Sequence, residues 1–182
     1  MKGTGLIRTC FIAAICVSPA LAASNPPTAQ LLFHANLTSS VTLVFQNNPN
    51  AGSTGYCALI NSGANFVGLN LGNASQVVPD DQACVRYLSG SSSYTVSSAF
   101  DVVVTITNSR SPSYSLAAQI STASPSGVTW TLNGTGLSTS FKTIQTANPY
   151  VSPITQTLGV NVQRAVAAQT LFESVNFLAT AN

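Results

Sequence analysis

The stretch FDVVVTITN, residues 100–108, contains the pattern that decides the fold. Val102, Val104 and Ile106 fall on one parity, while Val103, Thr105 and Thr107 fall on the other. Successive side chains of a β-strand point to opposite faces, so this alternation predicts a strand with one buried face. Similar alternation recurs on both sides of it, in stretches that are separated by turns rich in Gly, Pro, Asn and Ser.

Together these stretches predict about eight to ten short strands, which is the spacing typical of a sandwich or barrel. The composition agrees, because Thr and Ser suit polar β surfaces, whereas the Lys and Glu that surface helices use are scarce. We therefore expect an all-β fold, an immunoglobulin-like β-sandwich of antiparallel strands, in a single domain over residues 29–182. Within residues 154–163 we also expect a β-bulge near Thr155–Thr157.

The first residues have the three-part layout of a secretory signal peptide. Two basic residues precede an apolar run, and small residues at Ala20 and Ala22 follow it. The apolar run is shorter than the roughly 20 residues that a membrane-spanning helix needs. We expect residues 1–22 to be cleaved, residues 23–28 to form an extended arm, and the mature protein to have no membrane span. Such a protein is secreted, periplasmic or at the cell surface.

Beyond the leader, the chain carries as many basic as acidic residues, so its net charge is zero. These residues are Arg86, Arg110, Lys142 and Arg164 against Asp80, Asp81, Asp101 and Glu173. A neutral, charge-poor surface cannot neutralise a row of phosphates, which argues against a nucleic-acid partner. Low charge also reduces the repulsion between copies of the chain, which favours self-association.

Two cysteines remain after the leader, Cys57 and Cys84. In an exported protein two cysteines most simply form one disulfide, and we expect this pair to do so. Free thiols and a zinc site are the alternatives. Two isolated cysteines and one distant histidine, however, lack the usual spacing of zinc ligands.

His34 is the single histidine, and a catalytic triad would need it as the base. The acid would be Asp80, Asp81 or Asp101, but no serine lies in the context of a nucleophile elbow. The adjacent Asp80 and Asp81 suit a turn with solvated carboxylates better than a calcium loop or a glycosidase pair. We therefore expect no enzyme activity, no cofactor and no metal, with a secreted hydrolase as the least favoured alternative.

Aromatic side chains offer another alternative, a secreted monomeric binding module for polysaccharide. The candidates for a sugar-stacking platform are Trp130, Tyr87, Tyr94, Tyr114 and Tyr150. Trp130 alternates with Val128 and Leu132, however, which predicts a place in the core. The sequons at Asn36, Asn73 and Asn133 arise easily by chance in a chain so rich in Ser and Thr.

Three segments carry a resemblance to a known type of protein. They are LLFHANLTSSVTLVFQ (31–46), CVRYLSGSSSYTVSSAFDVVVTIT (84–107) and SVNFLATAN (174–182). The chain resembles small secreted bacterial β-sandwich proteins of the spore-coat-protein-U and fimbrial-subunit type. The resemblance implies an exported structural subunit of a cell-surface fibre or coat, whose partners are copies of itself or related subunits.

In such subunits each chain lends an N-terminal strand to its neighbour. The resemblance therefore implies strand exchange through residues 29–37, which have the alternation that a donor strand needs. The apolar parity of this segment carries Leu31, Phe33, Ala35 and Leu37. Fimbrial subunits also have a penultimate tyrosine and an upstream glycine, where this chain has Ala181 and Gln169. A self-complete monomeric sandwich is therefore the alternative.

Overall fold

The computed structural model describes residues 28–36, 41–73, 84–107, 110–167 and 169–182, and within these ranges the chain forms eleven strands and no helix. The strands are β1 (Thr28–Asn36), β2 (Val41–Gln46), β3 (Phe66–Asn73), β4 (Arg86–Ser89), β5 (Ser93–Ile106), β6 (Tyr114–Ile120), β7 (Val128–Leu132), β8 (Thr135–Gly136), β9 (Lys142–Asn148), β10 (Ile154–Gln163) and β11 (Leu171–Ala181). The all-β prediction is confirmed. The leader and residues 23–27 of the expected arm lie outside the described residues, whereas Thr28 already belongs to β1.

The strands form two sheets that pack as a β-sandwich. Sheet A has the order β3-β1-β11-β6-β9. Sheet B has the order β2-β5-β10-β7-β8, and β4 pairs with β5 beside β2. Among the strands that the structure describes, every pair is antiparallel except β1 and β11, which run parallel. The expectation of antiparallel strands is therefore wrong for this one pair.

The core lies between the two sheets and is filled by the inward rows of their strands. In β6, for example, Tyr114, Leu116, Ala118 and Ile120 are buried while the residues between them are partly exposed. Alternation of this kind is what a strand with one buried face requires. Trp130 is 1% exposed, so the predicted core position is confirmed.

Three phenylalanines join the sheets at the centre of the core. Phe45 and Phe100 belong to sheet B, Phe177 belongs to sheet A, and all three are fully buried. Their ring centroids lie 5.1–6.2 Å apart in edge-to-face arrangements. Each buried aromatic side chain contributes about 1.5–3 kcal/mol through burial, and edge-to-face contact adds to this.

The longest pairing joins β10 to β5 in one continuous register, from Ile154 opposite Val102 to Gln163 opposite Ser93. The expected bulge near Thr155–Thr157 is therefore wrong. The reason is Gln156, which is fully buried and continues the inward row of Leu158 and the valines after it. A polar residue in an inward position interrupts the apolar pattern of the sequence without interrupting the strand.

The predicted disulfide is present between Cys57 and Cys84, whose separation in the sequence is 27 residues. It ties the loop after β2 to the start of β4, and Cys84 O also accepts a hydrogen bond from the Tyr56 N–H at 2.9 Å. Closing a loop of this length contributes roughly 3–4 kcal/mol in the chain-entropy model.

Candidate functional site

The candidate site is the position of β1 in sheet A, between β3 on one side and β11 on the other. We call this position the β1 seat and define it as the space that β3 and β11 enclose. β1 pairs with β11 from Ala29 to Asn36 and with β3 from Thr28 to His34. Because β1 satisfies the facing backbone edges of both neighbours, the seat needs an extended strand to complete the sheet.

The register places three of the four predicted exchange residues opposite buried neighbours. Leu31, Phe33 and Ala35 take alternate positions along β1. Their register partners are Leu69 and Val67 on β3 and Glu173, Val175 and Phe177 on β11, all of them buried. Residues directly opposite each other on neighbouring strands share a face of the sheet, so the three lie at positions of the inner row. Leu37 lies outside the described residues.

A buried acid, Glu173, lies in the inner row of β11 at the margin of the seat and is 3% exposed. Its carboxylate accepts hydrogen bonds from the N–H groups of Ser121, Thr122 and Ser174 at 3.0–3.2 Å. The hydroxyl of Thr122 donates a further bond at 2.9 Å. Four donors satisfy the buried charge, and they fix the turn after β6 against the start of β11. Sequence reasoning missed this role, although Glu173 shares the parity of Val175 and Phe177.

The outer face of sheet A is apolar beside the seat. Leu32, Ile60 and Phe66 line a cleft of about 170 Å³. Ile60 is 57% exposed, Phe66 is 39% exposed, and Phe172, opposite Gln30 of β1, is 54% exposed. Large exposed apolar side chains that cluster on one face are typical of an interaction surface.

The five aromatic residues that were candidates for a sugar platform do not share an exposed face. Trp130, Tyr114 and Tyr94 are buried. Tyr87 packs against Tyr94 with centroids 6.0 Å apart, and Tyr150 packs against Tyr114 at 5.4 Å. They act as core and core-margin residues. Sequence reasoning left out Tyr56, which lies beside a cleft on sheet B.

Tyr114 is the most perturbed titratable group that the structure describes. Burial, followed by the nearby Tyr150, raises its pKa to about 12. Its hydroxyl is buried and has no hydrogen-bond partner among the described residues. The Asn148 amide nitrogen, opposite Tyr114 in the register of β6 and β9, is likewise buried without a partner there. Both donors lie inside the protein and offer no exposed reactive group.

The residues of the hydrolase alternative lie in different sheets. His34 belongs to β1 of sheet A, whereas Asp101 belongs to β5 of sheet B. Asp101 is buried and accepts hydrogen bonds from Asn48 Nδ2 and Thr155 Oγ1, both at 2.8 Å. These contacts make it a structural carboxylate. Asp80 and Asp81 lie outside the described residues.

Within the part of the chain that the structure describes, no group of three or more His, Cys, Asp or Glu side chains is placed to hold a metal ion. None of the described segments is a helix long and apolar enough to cross a membrane. Of the three sequons, the one at Asn133 is engaged internally. Its amide donates to Gln156 Oε1 at 2.8 Å and accepts from the Thr157 N–H at 2.7 Å.

Comparison of the sequence with protein-family models finds no match, and comparison with curated proteins also finds none.

Proposed function

We propose that this chain is an exported structural subunit of a cell-surface fibre or coat, and that it assembles by strand exchange through β1. The observation that carries the proposal is the β1 seat. A strand from the start of the described chain lies between β3 and β11, which each pair with one of its edges. The same backbone pairs form whether the strand comes from the same chain or from another copy, which is the basis of strand addition and domain swapping.

The connection after β1 supports exchange. β1 lies in sheet A and β2 in sheet B, and only residues 37–40 separate them in the sequence. Short connections between elements that cross from one layer to another favour swapping, because an open arrangement relieves the constraint of a tight crossing. The zero net charge of residues 23–182 lowers the electrostatic cost of bringing copies together.

The experiment compares residues 23–182 with the same protein lacking residues 23–38, by size exclusion and on an unheated denaturing gel. We expect ladders of the longer protein that vanish on truncation. We also expect the truncated protein to capture an added peptide with the sequence TAQLLFHANL, residues 28–37. The matched control is the same peptide with Phe33→Asp, which places a charge on the inner row and should not be captured.

Two outcomes would overturn the proposal. One is a clean, stable monomer of the longer protein whose truncation simply unfolds it and which the peptide does not restore. The other is capture of the control peptide as well as the native one, because binding would then not depend on the inner row. The first result would make β1 an ordinary internal strand, and the second would show that the capture of peptide is unspecific.

The second candidate function is a secreted module that binds polysaccharide. A specific observation favours it: a cleft on the outer face of sheet B, lined by Tyr56 and Arg86 among others. This function does not require exchange of β1, and a subunit of a coat can carry such a cleft as well.

A further inference from the structure

Sheet B has a depression on its outer face, where small side chains form the floor. Ser97 and Ala99 of β5 lie opposite Gly159 and Thr157 of β10. Gly159 has no side chain, and a Cβ built there would lie 2.9 Å from Thr131 Oγ1 and 3.5 Å from Ser97 Cβ. Thr131 and Ser97 already occupy the space over Gly159, so the depression lies over Ser97, Ala99 and Thr157, which line it.

Taller side chains surround this floor and complete a cleft of about 280 Å³. Tyr56 of the loop after β2 and Arg86 and Leu88 of β4 line it. Thr157 and Ser97 contribute hydroxyl groups. The cleft is slightly smaller than the usual ligand pocket, which suits one or two sugar rings better than a peptide segment.

The disulfide holds the two segments that carry Tyr56 and Arg86 in a fixed relation. Cys57 follows Tyr56 directly, and Cys84 lies two residues before Arg86. The N–H of Gly55 donates to Cys84 O, the N–H of Ala99 donates to Gly55 O at 2.7 Å, and the N–H of Cys57 donates to Ser98 Oγ at 2.7 Å. A site whose sides are fixed before binding loses less conformational entropy when a ligand enters.

A buried polar cluster anchors the start of the loop after β2, which is the loop that carries Tyr56. Asn48 Nδ2 donates to the Asp101 carboxylate, and Asn48 Oδ1 accepts from the N–H of Asn50 at 3.0 Å. The buried Asp101 therefore acts as a positioning residue for the loop that carries Tyr56. This gives a physical reason for an acid in the middle of a strand that is otherwise rich in valine.

Arg86 and Tyr56 carry the groups that would bind a ligand in this cleft. Arg86 is exposed, and its guanidinium makes no ion pair or hydrogen bond with any residue that the structure describes. The hydroxyl of Tyr56, which is half-buried, has no partner within those same ranges. A guanidinium recognises a carboxylate through two parallel hydrogen bonds, and a tyrosine ring packs against the apolar face of a sugar.

We infer that this cleft binds an acidic saccharide unit, a uronic acid residue of a polysaccharide. Arg86 binds the carboxylate of the sugar, and Tyr56 packs on the face of its ring. The hydroxyl groups of Ser97 and Thr157 bind the ring hydroxyls. A phosphate ion lacks the apolar face that Tyr56 and Leu88 offer, and a nucleic acid needs more cations than one. The inference rests on the binding-module function and not on strand exchange.

The test measures binding of oligogalacturonate tetramers to residues 23–182 by calorimetry, with uncharged galactan tetramers as the comparison ligand. We expect binding of the acidic ligand that weakens with added salt, and little binding of the neutral one. Arg86→Gln should weaken binding by at least about tenfold, because it removes the charge-assisted bonds, and Arg86→Lys should restore part of it. Tyr56→Ala should weaken binding of the acidic ligand at all salt concentrations.

Arg110→Gln is the matched control, since it removes an exposed arginine that does not line the cleft. Equal loss in the two arginine variants would overturn the inference, as would equal binding of both ligands or no binding of the acidic one. Monomeric and assembled fractions are titrated separately. Saccharide binding by a monomer that never forms ladders would reject strand exchange and support the saccharide site. Ladders without saccharide binding would support strand exchange and reject the saccharide site.

Discussion

Sheet A and sheet B bury the same kind of aliphatic and aromatic rows, but they differ in how their strands pair and in the residues on their outer faces. Sheet B pairs only antiparallel neighbours among its described strands, and its longest pair runs without interruption. Sheet A depends on β1, which is the first described strand in the sequence but runs parallel to β11, the last one. Its outer face exposes Ile60, Phe66 and Phe172, whereas the outer face of sheet B carries mainly Thr, Ser and Asn beside the exposed Leu88.

The two proposals assign different tasks to the two sheets of one sandwich. A sheet that is completed by a distant strand can be completed by a strand from elsewhere, so sheet A suits assembly. A sheet that is cross-linked and hydroxyl-rich presents a fixed surface, so sheet B suits recognition of a soluble polar ligand. Four changes test this division, from the largest expected effect to the smallest.

The largest effect is expected from Phe33→Asp, which places a carboxylate at an inner-row position of the β1 seat. Loss of the aromatic side chain and burial of a charge should together lower the free energy of unfolding by about 5 kcal/mol or more. Urea denaturation followed by tryptophan fluorescence measures it through Trp130. His34→Asp is the control at the adjacent outer-row position and should change stability far less. Similar losses for both variants would contradict the register.

The second change removes the disulfide, in the double variant Cys57→Ser and Cys84→Ser. The chain-entropy model predicts a loss of roughly 3–4 kcal/mol in the free energy of unfolding. Because the bridge borders the sheet B cleft, we expect saccharide binding to weaken while assembly through β1 persists. Loss of ladders with intact saccharide binding would contradict the assignment of assembly to sheet A and of saccharide binding to sheet B.

The third change compares the two buried acids, Glu173→Gln in sheet A and Asp101→Asn in sheet B. Each variant replaces a carboxylate that accepts several hydrogen bonds, so each should lose about 1–3 kcal/mol of stability. Their functional effects should differ. Glu173→Gln should reduce peptide capture by the truncated protein, and Asp101→Asn should reduce saccharide binding. Identical effects of both variants on both assays would show that neither acid acts locally.

The smallest change at neutral pH is expected from Tyr114→Phe. The hydroxyl has no partner among the described residues, so its removal should alter the free energy of unfolding by less than about 0.5 kcal/mol.

The effect of Tyr114 should appear only at high pH. Below pH 10 both the folded and the unfolded chain keep its proton. Between pH 10 and 12 the unfolded chain releases the proton while the folded chain retains it, so the stability of the natural protein should fall over this interval. Thermal unfolding of the natural protein and the variant from pH 9 to 12 measures this. An equally steep loss in the variant would assign the pH dependence to other groups.

The sequence was sufficient to predict the all-β class and the disulfide, because both rest on local patterns. Period-2 alternation identifies β6 and β7 from their own residues, and two cysteines in an exported chain leave one simple pairing. The alternation of β1 was also visible in the sequence, since Leu31, Phe33 and Ala35 share one parity, and the register places them opposite buried neighbours.

Long-range properties were not predictable from those patterns. Nothing in the alternation of residues 29–36 indicates that they pair in parallel with residues 171–178, because parity does not encode a partner or a direction. Gln156 and Glu173 escaped prediction for another reason. Each is polar and lies in an inward row, and only the three-dimensional position of its donors and acceptors reveals why it is tolerated there.

The parallel pairing of β1 and β11 also has a mechanical consequence. The chain enters β1 at the end of the sheet where β11 begins, and β11 finishes at the opposite end. A pull on Thr28 and Asn182 therefore slides the two strands past each other along their length. The eight registered residue pairs then share the load, whereas peeling would break them one after another. A domain stretched between these two points should yield only at high force, with its resistance set by the rate of forced unfolding.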